Sequence, residues 1–156
     1  MVAWRYRLAG RAMRLYGKIV RPRTFGVRAL LCDPGGRVAL VRHHYVRGWY
    51  LPGGGVDKGE SAEAAIRREL LEEVGLAEVT ISGVLGVYHN RVEAKDDHVV
   101  VFLCAVDDPA RLVAADPRES AEVGWFGAHA LPAGTSPATR RRIGDHAAGR
   151  QTFGIW

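Results

Sequence analysis

Residues Gly54 to Leu76 read GGVDKGESAEAAIRRELLEEVGL, and this stretch decides the fold expected of the chain. It contains three carboxylates, Glu69, Glu72 and Glu73, spaced three and four residues apart. On an α-helix this spacing places all three on one face, with Glu72 and Glu73 roughly 60° and 40° to either side of Glu69. Like charges so placed weaken a helix, which calls for a compensating cation. Hard carboxylate oxygens suit Mg²⁺ or Mn²⁺.

The same stretch carries signals for the two ends of the helix. Ser61 is a typical N-cap and Gly75 stands where a left-handed stop belongs, so we predict a helix over 61–74. A solvated amphipathic helix is the alternative interpretation. Such a helix would alternate its charges and would not need the three glycines Gly53–Gly55 before it, so we favour a ligand-binding loop followed by a helix.

The spacing of these residues resembles the Nudix box, Gx5Ex7REUxEExGU with U a bulky aliphatic, which marks the MutT-like Nudix hydrolase superfamily. The matching positions are Gly54, Glu60, Arg68, Glu69, Leu70, Glu72, Glu73, Gly75 and Leu76. A weaker resemblance, in the order of strands and loops, extends over about 25–126. The resemblance implies an α/β/α sandwich with a mixed central sheet, in which the box forms a loop–helix–loop.

The resemblance also implies a reaction, the hydrolysis of a nucleoside diphosphate linked to another group X. Divalent ions such as Mg²⁺ or Mn²⁺ would bind the bridge oxygens and lower the pKa of an attacking water. By the same resemblance Glu69, Glu73 and commonly Glu72 hold the metal, together with the backbone carbonyl of Gly53. Arg68 is expected to orient these glutamates, since it lies one turn from Glu72.

The general base is left open by the sequence. Some members of the family use a box glutamate, here Glu72 or Glu73, and others use a glutamate from a later loop. Glu119 and Glu122 are the first choices among later acids because they precede an expected core strand. The other candidates are Glu93, Asp96 and Asp97, and a solvated loop acid is the alternative for each.

The identity of X is also left open, because the secondary marks of the substrate subfamilies are absent outside the box. Three aromatic residues, Trp49, Tyr50 and Tyr88, are expected either to stack a base or to pack in the core. Three functions remain in view: a pyrophosphohydrolase of nucleotides or their derivatives, a Nudix-fold ligand-binding or regulatory module, and a pyrophosphohydrolase of RNA 5′ ends.

Composition fits a globular enzyme of one domain. The chain has 156 residues, 47% of them hydrophobic and 25% charged, and only two cysteines, both within apolar runs. Cys32 and Cys104 are therefore expected to be buried thiols, which fits a reducing compartment and a cytoplasmic location. Six histidines show no zinc-binding spacing.

Charge is divided unevenly along the chain. The first 32 residues hold eight basic residues and no acid, whereas the remainder holds 14 basic and 17 acidic residues. We predict a basic, amphipathic helical extension over 1–23 and a Nudix domain over 24–156. The extension is expected to pack on its own domain or on a second subunit of a homodimer. Contact with RNA or with an anionic membrane surface is the alternative.

Apolar and alternating runs predict the remaining elements. Strands are expected over 24–32, 37–43, 79–88, 98–106 and 122–126, with a short extended segment at 49–51. Ser136 followed by Pro137 predicts the start of a last helix, over 137–148.

Overall fold

The computed structural model describes residues 24–91, 96–117 and 120–156, which form one six-stranded sheet, two α-helices and a short 3-10 helix at Pro109–Arg111. The strands are β1 (Thr24–Cys32), β2 (Val38–His43), β3 (Thr80–Asn90), β4 (Asp97–Ala105), β5 (Ser120–Phe126) and β6 (Gly154–Ile155). The helices are α1 (Ala62–Val74) and α2 (Pro137–Ala147). None of the described helices is long and apolar enough to cross a membrane.

The sheet is mixed, with strand order β5-β2-β1-β4-β3-β6. The central pair, β1 and β4, is parallel, and Thr24 to Cys32 pair in unbroken register with Asp97 to Ala105. The pairs β1–β2, β2–β5 and β3–β4 are antiparallel. Parallel strands inside a sheet are covered on both faces, which agrees with the apolar character of β1 and β4.

Two hydrophobic clusters lie on opposite faces of this sheet. One joins α1, through Ile66, Leu70 and Val74, to alternate residues of β1 and β4. The other contains Leu30 and Leu40 together with Ile143 of α2. One helix therefore packs on each face, and the expected α/β/α sandwich with a mixed central sheet is confirmed.

Helix α1 begins and ends where the sequence predicts. The hydroxyl of Ser61 accepts a hydrogen bond from the amide of Ala64, and Gly75 ends the helix with φ 71°. Its amide bonds back to carbonyls of the last turn, so both ends of the helix are capped. The capped helix fixes the direction in which the carboxylates of the box project.

The glycine-rich loop before α1 pairs with the first half of β1. Val27 donates to the carbonyl of Gly54 and Ala29 to that of Pro52, each at 2.9 Å, and Val56 donates to Phe25. Strand β2 pairs with β1 only where Val38, the first residue of β2, faces Cys32, the last residue of β1. The loop thus occupies the position beside the first half of β1 where β2 does not pair, and it lies alongside both β1 and α1.

Three segments of the chain stand apart from the strands and helices predicted above. The short extended segment predicted at 49–51 forms isolated bridges, such as that between Tyr50 and Val41. Strand β6 was not predicted, since it has only two residues and pairs with Tyr88 and His89. The predicted extension over 1–23 lies outside the described residues, so that domain boundary stays a prediction.

The segment that ends at β6 is anchored on the side of the sheet that carries α2. The buried guanidinium of Arg142 pairs with Asp145 and lies 4.0 Å from the ring centre of Tyr88. Tyr88 is 1% exposed and also contacts Trp156 and Thr152. Tyr88 therefore packs in the core, which is one of the two roles that the sequence predicted for it.

Candidate active site

Gly53 joins the glycine loop to helix α1. Its amide donates to Oε2 of Glu73 at 2.7 Å, and its carbonyl accepts a hydrogen bond from Arg28. Its φ is 134°, and an added Cβ would lie 2.3 Å from the carbonyl oxygen of Val27. Only glycine permits this backbone conformation and this close approach to β1. The peptide of Gly53 therefore contacts one box glutamate directly.

Glu69 rests against the next glycine. An added Cβ at Gly54 would lie only 2.4 Å from Oε1 of Glu69, so the carboxylate occupies the space that a side chain would fill. Burial raises the pKa of Glu69, and the hydrogen bond and charge of Arg68 only partly offset this effect. A partly desolvated carboxylate held against main chain is a strong potential ligand for a cation.

Arg68 lies at the centre of three carboxylates, Glu60, Glu69 and Glu72, which form the carboxylate cluster. Its guanidinium contacts Glu60 through Nε and Nη2, both at 3.0 Å, and Nη2 also donates to the carbonyl of Gly55. Its Nη1 lies 2.8 Å from Glu69 Oε1 and 3.1 Å from Glu72 Oε2. These contacts raise the pKa of Arg68 and lower that of Glu60, so both groups stay charged.

The oxygen atoms of the carboxylate cluster suit a divalent metal ion, but they are not gathered into a closed site. No three histidine, cysteine, aspartate or glutamate side chains in the described part of the chain converge into a ready cage. Nevertheless one atom, Nη1 of Arg68, contacts the carboxylates of both Glu69 and Glu72. A single positive centre can therefore be served by both glutamates, and the all-oxygen donor set suits a hard divalent ion.

The three carboxylates predicted on one face do not share one environment. Glu72 is exposed, with 55% of its side chain accessible, whereas Glu69 is mostly covered. Glu73 is 5% exposed and lies between Gly53 and His43, whose Nε2 is 3.4 Å from Glu73 Oε1. The predicted spacing on the helix is present. Packing against the loop and β2, however, gives the three acids different exposure and different partners.

The candidates for the general base outside the box lie in different settings. Glu122 lies on β5 opposite Arg42 of β2, and its exposed carboxylate accepts two hydrogen bonds from that guanidinium. Asp96 pairs with His89, and Asp97 accepts a hydrogen bond from Thr24. Glu93 and Glu119 lie outside the described residues, so their positions relative to the box are not defined.

Two residues at the site were not among the predicted ones. The alternation of β2 is the signal that could have identified His43, because it directs this side chain to the same face as Ala39 and so towards α1. Arg28 is the only charged residue in the strand TFGVRALLC, and a lone charge in an apolar strand is a signal for a functional contact. Trp49, by contrast, is 8% exposed and packs against Phe126 in the core.

The fold and the carboxylate cluster together define a class of protein, the Nudix hydrolases. The NUDIX domain family matches residues 22–146. The chain belongs to the Nudix family and is a pyrophosphohydrolase, as the sequence predicted. Members of this family generally use divalent metal ions.

Individual relatives are similar over different lengths. A putative 8-oxo-dGTP diphosphatase of Bacillus subtilis is 34% identical over 132 residues, which cover 85% of each chain. An RNA pyrophosphohydrolase of Shewanella piezotolerans is 50% identical over 50 residues, which cover 32% of this chain and 29% of the relative. A crystal structure of a MutT NUDIX hydrolase from Burkholderia pseudomallei is 26% identical with a TM-score of 0.63 and covers 78% of this chain and 96% of its own.

Proposed function

We propose that this protein hydrolyses the pyrophosphate linkage of a nucleotide or nucleotide derivative with the help of Mg²⁺ or Mn²⁺. The observation that carries the proposal is the placement of two carboxylates, Glu69 and Glu72, on one cationic nitrogen of Arg68. Glu73, on the same helix, accepts a hydrogen bond from the amide of Gly53. The arrangement concentrates hard oxygen ligands at the junction of the glycine loop and α1.

Each residue of the site has its own role in this reaction. Glu69, Glu72, Glu73 and the carbonyl of Gly53 would hold the metal, which would polarise the bridge and lower the pKa of a bound water. Arg68 keeps Glu69 and Glu72 close together, and Glu60 holds Arg68 from the opposite side. The general base is a box glutamate or a later acid such as Glu119.

Nucleoside triphosphates, including oxidised ones, are the first substrate class to test. This choice follows from the B. subtilis relative, which matches over most of both chains and is named for 8-oxo-dGTP. A cytoplasmic location suits such a substrate. It also suits the two cysteines, since both are free and burial raises the pKa of Cys104 to about 12.

A substrate panel with a matched pair of variants tests the proposal. Product release is measured from NTPs, oxidised NTPs, ADP-ribose, nucleotide sugars, dinucleoside polyphosphates and coenzyme A, with Mg²⁺ or Mn²⁺. Glu73→Gln should lower turnover by about 100-fold or more, as loss of a charged metal ligand predicts. Glu63→Gln, on the outer side of α1 and paired with Arg67, should keep wild-type rates.

Two results would contradict the proposal. Turnover in Glu73→Gln at the wild-type rate would remove the assigned ligand. Tight binding of a nucleotide without any turnover would instead identify a binding or regulatory module. Melting curves of both variants show whether any loss of rate reflects unfolding, which is expected to be small because glutamine can still accept the hydrogen bond from Gly53.

Action on RNA 5′ ends is the second candidate function. It is favoured by the 50% identity to an RNA pyrophosphohydrolase and by the basic residues within 1–23. Hydrolysis of 5′-triphosphate RNA should then fall steeply with salt, and deletion of 1–23 should weaken that dependence. An unchanged salt response after the deletion would exclude the role of the extension. The same truncation, examined by light scattering, also tests its expected packing in a homodimer.

A further inference from the structure

Arg28 places a positive charge in the middle of an otherwise apolar strand. Its neighbours Val27 and Ala29 are fully buried, and Arg28 itself is partly buried. Alternation along β1 directs its side chain to the face shared by Leu30, away from α1. Holding a guanidinium at such a position costs free energy unless it is satisfied by specific partners.

The partners of Arg28 are backbone carbonyls. Its Nη1 donates to the carbonyls of Leu51 and Gly53, and no carboxylate in the described ranges forms an ion pair with it. Its Nε and Nη2 make no hydrogen bond to any described residue. Arg68 differs, because its Nε, Nη1 and Nη2 all donate to groups of the box. Arg28 is therefore anchored at one nitrogen and keeps donors available for a ligand.

Arg28 also lies at the edge of the proposed catalytic centre. The carbonyl oxygen of Gly53 accepts a hydrogen bond from Arg28, and its amide donates one to Glu73. Because a carbonyl oxygen has two lone pairs, Gly53 can accept from Arg28 and still offer one pair to another ligand.

We propose that Arg28 binds a phosphate of the substrate's diphosphate and holds it next to the box carboxylates. A guanidinium fork is suited to phosphate oxygens, and a cation at this point offsets the repulsion between an anionic substrate and Glu69, Glu72 and Glu73. Arg28 is in this sense a substrate-positioning residue on β1. The inference rests on the proposed pyrophosphohydrolase function and adds a residue outside the box to it.

Binding of a non-hydrolysable diphosphate tests the inference without turnover. Calorimetry with α,β-methylene ADP in Mg²⁺ should show at least 10-fold weaker binding for Arg28→Gln and an intermediate affinity for Arg28→Lys. Arg67→Gln is the matched control, because Arg67 also donates to a backbone carbonyl, that of Val79, but on the outer side of α1. Its affinity should stay within twofold of wild type.

Separate measurements distinguish this role from a structural one and from competition with metal. Mn²⁺ binding without phosphate, followed by electron paramagnetic resonance, should not weaken in Arg28→Gln. Diphosphate affinity within twofold of wild type would overturn the inference, and so would a loss explained wholly by weaker Mn²⁺ binding. If Arg28→Gln fails to fold by circular dichroism, Arg28→Lys decides: weaker diphosphate binding supports the role and wild-type affinity overturns it.

The inference and the proposed function fail in different ways. Full turnover in Glu73→Gln would remove the proposed function itself. An inactive Glu73→Gln together with a wild-type KM and diphosphate affinity in Arg28→Gln would leave the function standing and remove only the role of Arg28.

Discussion

The amide of Gly53 and the carboxylate of Glu73 are joined by a hydrogen bond of 2.7 Å, although the residues lie on different elements. Glu73 is 5% exposed and has little freedom to move away from the loop. A charge-assisted bond of this kind is short and directional. The loop and the last turn of α1 are therefore set relative to each other before any ligand binds.

Gly54→Ala should impair catalysis more than folding. The new Cβ would meet the carboxylate of Glu69 at 2.4 Å and push it out of position. A displaced ligand is expected to reduce activity by about 10- to 100-fold. Gly55→Ala is the control, since its Cβ would meet nothing within 4 Å, and its kcat/KM should match wild type. Equal effects in both variants would argue against a specific role for the Glu69 position.

Arg68→Lys should lose activity although the charge is kept. A lysine ammonium cannot reproduce the fork that contacts Glu60, Glu69 and Glu72 at once. We expect at least a 10-fold drop in kcat/KM and a change in the Mg²⁺ concentration needed for half-maximal rate. Arg67→Lys, an exposed neighbour paired with Glu63, should behave as wild type. An active Arg68→Lys would show that charge alone suffices.

Glu122→Gln should retain activity within about threefold of wild type. The carboxylate of Glu122 is held by Arg42 on the surface, which disfavours its use as a general base. Glu119→Gln tests the other later acid and should lower kcat by about 100-fold if that residue is the base. A large loss of kcat in Glu122→Gln would reverse this assignment, provided that Arg42→Gln does not cause the same loss.

Asp145 should make stability depend on acid pH. Burial tends to raise the pKa of Asp145, but hydrogen bonds from Arg150 and Thr152 and the charge of Arg142 outweigh it, so the net shift is downward. A lowered native pKa stabilises the fold above the unfolded value of about 3.9, and this contribution is lost as pH falls through the native pKa.

Asp145→Asn is therefore expected to be less stable than wild type at neutral pH by about 3 kcal/mol, since Arg142 loses its buried partner. The two curves should approach each other as pH falls below 4. Urea unfolding between pH 7 and pH 2.5 measures both. Asp107→Asn, an exposed position, should follow the wild-type curve, and parallel curves for Asp145→Asn would contradict the expectation.

The box region could be predicted closely because its signals are local. Ser61 and Gly75 delimit α1 by capping, which depends only on neighbouring residues. Strand β1 and the sheet faces of β2 follow from apolar runs and alternation. The predicted ends of β3 and β4 differ from the observed ones by one or two residues, as fraying ends usually do.

The features that could not be predicted depend on contacts between distant segments. The approach of His43 to Glu73 needs β2 and α1 to be packed together, and the position of Arg28 needs the loop to lie beside β1. Strand β6 exists only because 150–156 crosses to β3, where Trp156 donates to His89. Spacing within the sequence carries no information on such pairings.

The pairing of the glycine loop with β1 has a consequence for motion. Amides of Val27, Ala29 and Val56 are bonded across this pairing, so their hydrogen exchange should be as slow as that of the sheet. A surface loop would open on its own, whereas this loop should open only together with the sheet. The carboxylate cluster should therefore be lost in the same cooperative transition as the fold. Because the loop is already ordered, it should lose little conformational entropy when a ligand binds.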